Sequence, residues 1–180
     1  RHRLMVPIHD RQGRVIGFGG RSLDGSEPKY LNSPETELFE KGKHLFGFDK
    51  AVNAIRKDDR AVVVEGYFDV IALHAAGVTN AVASLGTALS SQQITQLCRV
   101  SDSKRIVLNF DADRAGVRAA NRAIGEVEQL AMQGQLELRV LHLPSGKDPD
   151  DFLKDHGSGD YRALLDQAPL WLDWQIEQVL

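Results

Sequence analysis

The chain has 180 residues, 42% apolar and 26% charged, which is enough for one sizeable core with a smaller appended subdomain and lacks the compositional marks of disorder. Its single cysteine, Cys98, excludes an internal disulfide framework and a cysteine-based zinc site and suits a reducing cytoplasm. Apolar runs such as 61–64 and 106–108 are far too short to cross a bilayer, and no leader opens the chain, so no membrane role is expected.

The net charge of −3 is unevenly spread: residues 1–60 carry twelve basic against nine acidic residues, and residues 61–180 carry ten against sixteen. An acidic site facing a polyanion makes physical sense when cations lie between them, which points to metal-mediated phosphate chemistry.

In chain order, Leu4–Ile8 and Arg14–Phe18 read as a hairpin around Asp10-Arg11-Gln12-Gly13, with Gly19-Gly20 permitting an unusual backbone afterwards. The start at Arg1-His2-Arg3-Leu4 reads as the approach to that first strand, so a piece of a longer protein is expected. Ser33-Pro34-Glu35 has the marks of a helix start, predicting a short helix through Phe39. Lys41-Gly42-Lys43 follows as a basic turn, and 48–57 returns to helical spacing.

From Arg60 onward, strands and helices alternate, the signature of a mainly parallel sheet covered on both faces. Strands are expected at Ala61–Val64, Ala81–Ala83, Arg105–Phe110 and Leu136–Leu143. Helices are expected at Phe68–Ala76, closed by Gly77, at Ser91–Val100, capped by Ser90, and at Arg114–Gln133, closed by Gly134. Beyond Pro144, Gly146 and Pro149 the chain becomes helical again around 152–154, 161–165 and 170–180.

In such sheets ligands bind beyond the carboxyl ends of the strands, and three groups of acids fall there. Glu65 follows the first parallel strand, with Asp69 one turn into the next helix. Asp111 and Asp113 follow the third, with a spacing that puts both on one side if strand geometry continues. Asp148 and Asp150 flank Pro149 after the fourth. Six carboxylates at one edge need compensation, and hard oxygen donors suit Mg²⁺ or Mn²⁺ in phosphoryl or nucleotidyl transfer. Taken singly, an Asp before a helix is more often a cap, and Asp-Pro-Asp is a common turn composition. Three groups on one sheet are harder to dismiss, and Glu65 most of all, because Glu is a poor cap.

Glu65-Gly66-Tyr67-Phe68-Asp69 and Phe110-Asp111-Ala112-Asp113-Arg114-Ala115-Gly116 resemble the two signature motifs of the TOPRIM domain, shared by bacterial primases, topoisomerases and some nucleases. Four further stretches narrow the resemblance to DnaG-type DNA primases: Gly17 to Arg21, Lys29 to Thr36, Ala83 to Thr87, and Gly146 to Leu153.

The resemblance implies a TOPRIM, Rossmann-like α/β fold with a mainly parallel sheet flanked by helices, over 59–144. A small basic N-terminal α+β subdomain, 1–58, would precede it, and the start of a C-terminal helical subdomain, 145–180, would follow. It implies that Glu65, Asp111 and Asp113 are the main catalytic and metal-binding acids, completed by Asp69, Asp148 and Asp150, with Glu65 assisting deprotonation of the attacking hydroxyl. Arg21, Lys29, Tyr30, Asn32, Lys41 and Lys43 would meet template or nucleotide, although Lys41-Gly42-Lys43 could equally be a solvated turn and Tyr30 a core aromatic. Ala112 replaces a glycine often found between the two aspartates.

The implied activity is synthesis of RNA primers on single-stranded DNA from ribonucleoside triphosphates, with Mg²⁺ (Mn²⁺ possible) and no zinc in this piece. The setting is the bacterial cytoplasm at the replication fork, and the replicative helicase would be met through a region absent here. Alone, the piece is expected to bind metal but to prime poorly or not at all. The rivals are a TOPRIM nuclease or topoisomerase, which would need an activated tyrosine that Tyr30, Tyr67 and Tyr161 do not suggest, and a noncatalytic acidic module that binds cations or a partner. His44, His74 and Cys98 read as structural, and Trp171 and Trp174, three apart, as one face of a packing helix.

Overall fold

A computed structural model describes residues 2–86 and 89–178, so Thr87 of the resembling stretch Ala83 to Thr87 and the last two residues lie outside the described residues. The first strand, β1 (Arg3–His9), pairs antiparallel with β2 (Val15–Ser22), which pairs antiparallel with β3 (Tyr30–Asn32). The hairpin is therefore longer than the expected one and gains a third strand. It runs straight through Gly19 and Gly20, neither of which has a positive φ. What they supply is space: a Cβ on Gly19 would lie 2.9 Å from the Tyr67 ring, and one on Gly20 would press on the Arg3 and Met5 side chains at 3.3 Å.

The helix expected at 33–39 does not form. The Ser33 hydroxyl that would have capped it accepts instead from the Phe18 N–H (3.0 Å), fastening this segment to β2. Thr36 and Phe39 close a tight turn by exchanging backbone hydrogen bonds, which leaves Phe39 fully buried. The basic turn Lys41–Lys43 is one turn of 3₁₀ helix.

The sheet that follows is parallel throughout, in the order β5–β4–β6–β7, with β4 Ala61–Val64, β5 Ala81–Ala83, β6 Arg105–Asn109 and β7 Glu137–Leu141. Its central residues, Ala61–Val64 and Ile106–Leu108, are all fully buried, as expected where both faces are covered. Alternation divides them between two cores. Val63, Ile106 and Leu108 pack under α1 (Phe48–Asp58), α3 (Ser91–Cys98), α4 (Arg114–Met132) and α6 (Trp171–Glu177), where Trp171 and Trp174 are buried. Val62, Val64 and Val107 pack under β1, α2 (Tyr67–Ala75) and α5 (Pro149–Gln167), the last kinked at Gly157. The antiparallel sheet meets the parallel half through Asn32, whose Nδ2 donates to the Leu85 carbonyl (2.9 Å), and the segment leading into α1 adds a bridge between Phe46 and Ala83. No helix among the described residues is long and apolar enough to cross a membrane.

Helix α1 ends at Asp59 in the left-handed region (φ 47°), strained for a residue with a Cβ. Its carboxylate accepts from the Ser103 N–H (2.9 Å) and the Ser101 hydroxyl (2.8 Å), bonds that hold its pKa below the usual value of 3.8. A depressed folded pKa gives stability that is present above the unfolded value and lost as pH falls. In urea unfolding, wild type should therefore exceed Asp59→Asn at about pH 6, and the gap should close towards about pH 3. A gap independent of pH would mean that the ionised carboxylate contributes nothing.

Candidate active site

The carboxyl ends of β4, β6 and β7 open into a cavity of about 570 Å³. Glu65, Asp69, Asp111, Asp148 and Asp150 line one part of it, and Arg21, Lys29, Tyr30 and Asn32 line the other. Nine of the twelve residues singled out in the sequence thus share one cavity. Asp113 does not line it, yet it lies close enough for its charge to raise the pKa of both Glu65 and Asp111. Lys41 and Lys43 are elsewhere, in a turn whose backbone carbonyls anchor α3. Those of Lys41, Gly42 and Lys43 accept from Gln93, Ser90 and Gln96, and the Lys43 ammonium pairs with Glu40.

Each acid is fixed by its own local geometry. Glu65 Oε1 accepts from the Asp111 N–H (3.0 Å), tying the end of β4 to the end of β6. Asp69 Oδ2 accepts from the Gly66 N–H (3.1 Å) at the start of α2. Strand geometry stops at Asn109, so the spacing of two does not align Asp111 with Asp113. Asp113 turns away to cap α4, its Oδ1 accepting from the Ala115 and Gly116 N–H groups, both at 2.8 Å. Asp148 caps α5 in the same way, Oδ1 accepting from the Asp151 N–H (2.8 Å), with Pro149 in the first turn. The cap reading of Asp113 is therefore realised, and Asp148, whose Asp-Pro-Asp sequence read as a turn, is a cap as well. In Glu65, Asp69, Asp113 and Asp148 only one carboxylate oxygen is so engaged, and the other accepts no hydrogen bond among the described residues.

Burial and like charge act together on the cluster. Burial first, then the charges of Asp148, Asp111 and Glu65, push Asp69 up to about 7. Burial also raises Glu65, against the opposing Asp111 N–H, and raises Asp111, with Asp113 and Asp148 adding to it. Lys154 Nζ donates to Asp150 (2.8 Å) and Asp151 (3.0 Å), which holds its pKa above the usual lysine value. Among the described residues no three His, Cys, Asp or Glu side chains are gathered tightly enough to enclose an ion. Magnesium typically keeps several waters and takes only one or two carboxylates together with substrate phosphate, so spaced acids of hard oxygen type fit it better than a closed cage would.

The facing wall is aromatic as well as basic. Arg21 lies over the rings of Phe68 (5.1 Å) and Tyr30 (5.8 Å), Lys29 over Tyr30 (5.6 Å), and Tyr30 meets Tyr67 edge-on (5.8 Å). Tyr30 is 46% exposed, which removes the core-aromatic reading. Tyr67 and Tyr161 are buried, and burial raises both phenols, the opposite of what a nucleophilic tyrosine needs. Phe68, Ser84, Gly86 and Lys154 also line the cavity and were not singled out from the sequence. Phe68, Ser84 and Gly86 fall within the stretches that carried the family resemblance, and Lys154 carried a signal in its spacing of four from Asp150.

Two family models match the chain: "Toprim-like" over residues 62–153, just over half of its length, and "DNA primase catalytic core, N-terminal domain" over residues 1–52. The DNA primase of Synechococcus elongatus is 72% identical over the whole chain, which spans 26% of that protein. A solved DNA primase domain from Pseudomonas aeruginosa superposes with a TM-score of 0.91 at 45% identity, covering 99% of this chain and 55% of that one. A DnaG primase catalytic domain solved bound to single-stranded DNA gives 0.85 at 43% identity, covering 94% of this chain and 54% of that one. The parallel sheet with its acidic edge is thus a Toprim-like domain. Joined to the antiparallel unit that precedes it, it places the chain in the DnaG-type DNA primase family, as a segment of the catalytic core.

Gly116 shows how tightly this edge is built, because a Cβ there would stand 2.0 Å from the Asp111 carbonyl oxygen, a backbone atom that cannot turn aside. Gly125, in the same helix, faces open space. Gly116→Ala should lose ~3 kcal/mol or more of folding stability. Gly125→Ala should be neutral or stabilising by up to ~1 kcal/mol. Denaturant unfolding of both variants checks the contrast, and equal effects would contradict it.

Proposed function

We propose that this chain is the part of a primase in which ribonucleotides are joined into short RNA primers on a single-stranded DNA template. The observation that carries the reading is the meeting, in one cavity, of five carboxylates from three strand ends with a wall of Arg21, Lys29 and Tyr30. Acids alone would repel a polyanion, and cations alone would bind it without chemistry. In the division of labour that follows, residues 1–58 form a basic subdomain, 59–144 the Toprim domain and 145–180 the start of a helical subdomain.

A divalent cation, Mg²⁺ with Mn²⁺ as substitute, would stabilise the attacking and leaving oxygens during in-line displacement. Glu65, Asp111 and Asp113 are the residues to hold it, with Asp69, Asp148 and Asp150 completing the site; no zinc is required in this piece. The primer 3′ hydroxyl attacks the α-phosphate of the ribonucleotide, the bond to the β-phosphate breaks and pyrophosphate leaves. Glu65 would receive the hydroxyl proton, a role supported by the burial that raises its pKa. Arg21, Lys29, Tyr30 and Asn32 hold template or nucleotide, through charge, a stacking face and an amide. Lys41 and Lys43 could meet only a strand that has left the cavity. The relative solved with single-stranded DNA supports this choice of template. Contact with the replicative helicase would fall in another region of a longer parent, at the replication fork in the cytoplasm.

In the full-length parent, Asp111→Asn should lower ribonucleotide incorporation by ~100-fold or more, the equivalent of a few kcal/mol of lost charge stabilisation. Template binding at low salt should persist. Strand cleavage by wild type without incorporation would favour a nuclease. Full incorporation by both Asp111→Asn and Asp113→Asn would favour a noncatalytic module.

A further inference from the structure

Asn109 is the last residue of β6, and in the sheet it lies between Val64 of β4 and Leu141 of β7. Glu65 is the next residue after Val64, Asp111 stands two beyond Asn109, and Asp148 follows Leu141 by seven. Asn109 thus sits in the middle of the row from which the acids depart. It is 3% exposed, within a strand of buried Ile106, Val107 and Leu108.

Its amide is fully oriented. Nδ2 donates to the Leu141 carbonyl (3.2 Å), which can only accept, so Oδ1 faces the other way and accepts from the Tyr161 hydroxyl (2.7 Å). Tyr161 has no exposed surface and belongs to the part of α5 beyond the Gly157 kink, where its ring meets that of Phe152 (6.2 Å), in the part before the kink whose first turn carries Asp150 and is capped by Asp148. It also lies close enough to Asp69 for that charge to act on its phenol. One buried chain of hydrogen bonds therefore links α5, β6 and β7 at the level of the strand ends from which the acids depart. Leu and Phe at these positions would fill the same core without desolvating an amide and a hydroxyl. A buried polar pair does little for stability relative to apolar residues of similar volume, and its best use is to fix one arrangement among several.

We propose that the Tyr161–Asn109–Leu141 chain sets the spacing between the acids at the start of α5 and those at the ends of β4 and β6. Asn109 and Tyr161 are then positioning residues for a divalent cation in the acidic cavity, an inference that rests on the cation-binding reading above. Since such a cation takes one or two carboxylates directly and keeps several waters, the spacing between the strand ends and the start of α5 would decide which acids share it.

The test measures Mn²⁺ binding to the chain by calorimetry alongside metal-free thermal unfolding, for wild type, Tyr161→Phe, Asn109→Leu and the double variant. Tyr161→Phe strands Asn109 Oδ1, and Asn109→Leu strands the Tyr161 hydroxyl and takes the amide donor from the Leu141 carbonyl, so each should lower Tm by about 3–6 °C. Removing both partners should bring Tm back to within about 2 °C of wild type. The double variant should still bind Mn²⁺ ~10-fold more weakly. A double variant that regains both Tm and wild-type affinity overturns the inference and leaves the pair merely structural. Should the double variant not recover its Tm, Tyr161→Phe decides, since its ring fills the same space: affinity reduced ~3-fold or more supports the inference, and unchanged affinity overturns it. Absence of saturable Mn²⁺ binding by wild type would overturn the cation reading itself and this inference with it.

Discussion

The structure depends on how several carboxylates can stand at one edge of a parallel sheet without driving each other apart. The parallel register brings the ends of β4, β6 and β7 to a common level, and each end continues into an acid or an acid-capped helix. Repulsion and burial show in Asp69, Glu65 and Asp111, all held towards the protonated form. Backbone donors offset part of that penalty: the Asp111 N–H on Glu65, the Gly66 N–H on Asp69, and the N-terminal donors of α4 and α5 on Asp113 and Asp148. The positive ends of those two helices act in the same direction. The cluster is therefore assembled by secondary structure, and a cation would meet a site that is already in place.

The antiparallel unit answers the acids from across the cavity. Its Arg21 and Lys29 lie over aromatic rings and pair with no carboxylate among the described residues, so their charge stays available for phosphate. Lys154 does the opposite, spending its charge on Asp150 and Asp151 at the rim. Phosphate entering such a cavity would find cations on one wall and metal-ready oxygen on the other, the division expected where a polyanion must approach an acidic centre.

Much of this was legible in the residues because the parallel half obeys local rules. Continuous β-branched runs between capped helices leave little choice, and Ala61–Val64 and Ala81–Ala83 form at the expected residues. The antiparallel half is governed by contacts that no window of sequence contains. Ser33 carries every mark of a helix cap and spends its hydroxyl on Phe18, while Tyr30–Asn32 becomes a strand only because β2 offers it an edge. Gly19 looks like a turn residue and is a cleft for the Tyr67 ring, forty-eight residues away. Lys41 and Lys43 resembled template ligands by type and order alone, and their backbone, engaged with α3, decided where they went. In the site, the acids could be found by position relative to strand ends; which would line the cavity depended on the turn after Asn109, which the spacing of Asp111 and Asp113 could not reveal.

That turn also dissolves the opposition between cap and ligand from which the acids were first weighed. A carboxylate has two oxygens. In Asp113 and Asp148 the helix N-terminus takes Oδ1, in Glu65 a backbone donor takes Oε1, and in Asp69 one takes Oδ2. The second oxygen of each is left without a partner among the described residues. Capping removes the rotational freedom that an unbound side chain would otherwise lose on meeting a cation, and it presents a lone pair in a fixed direction. An aspartate at a helix start beyond a parallel strand is therefore a better ligand for being a cap. The sequence features that argued for a purely structural role, Asp before Arg-Ala-Gly and Asp before Pro-Asp-Asp, are the same ones that, in the proposed reading, would hold these acids ready for a shared ion.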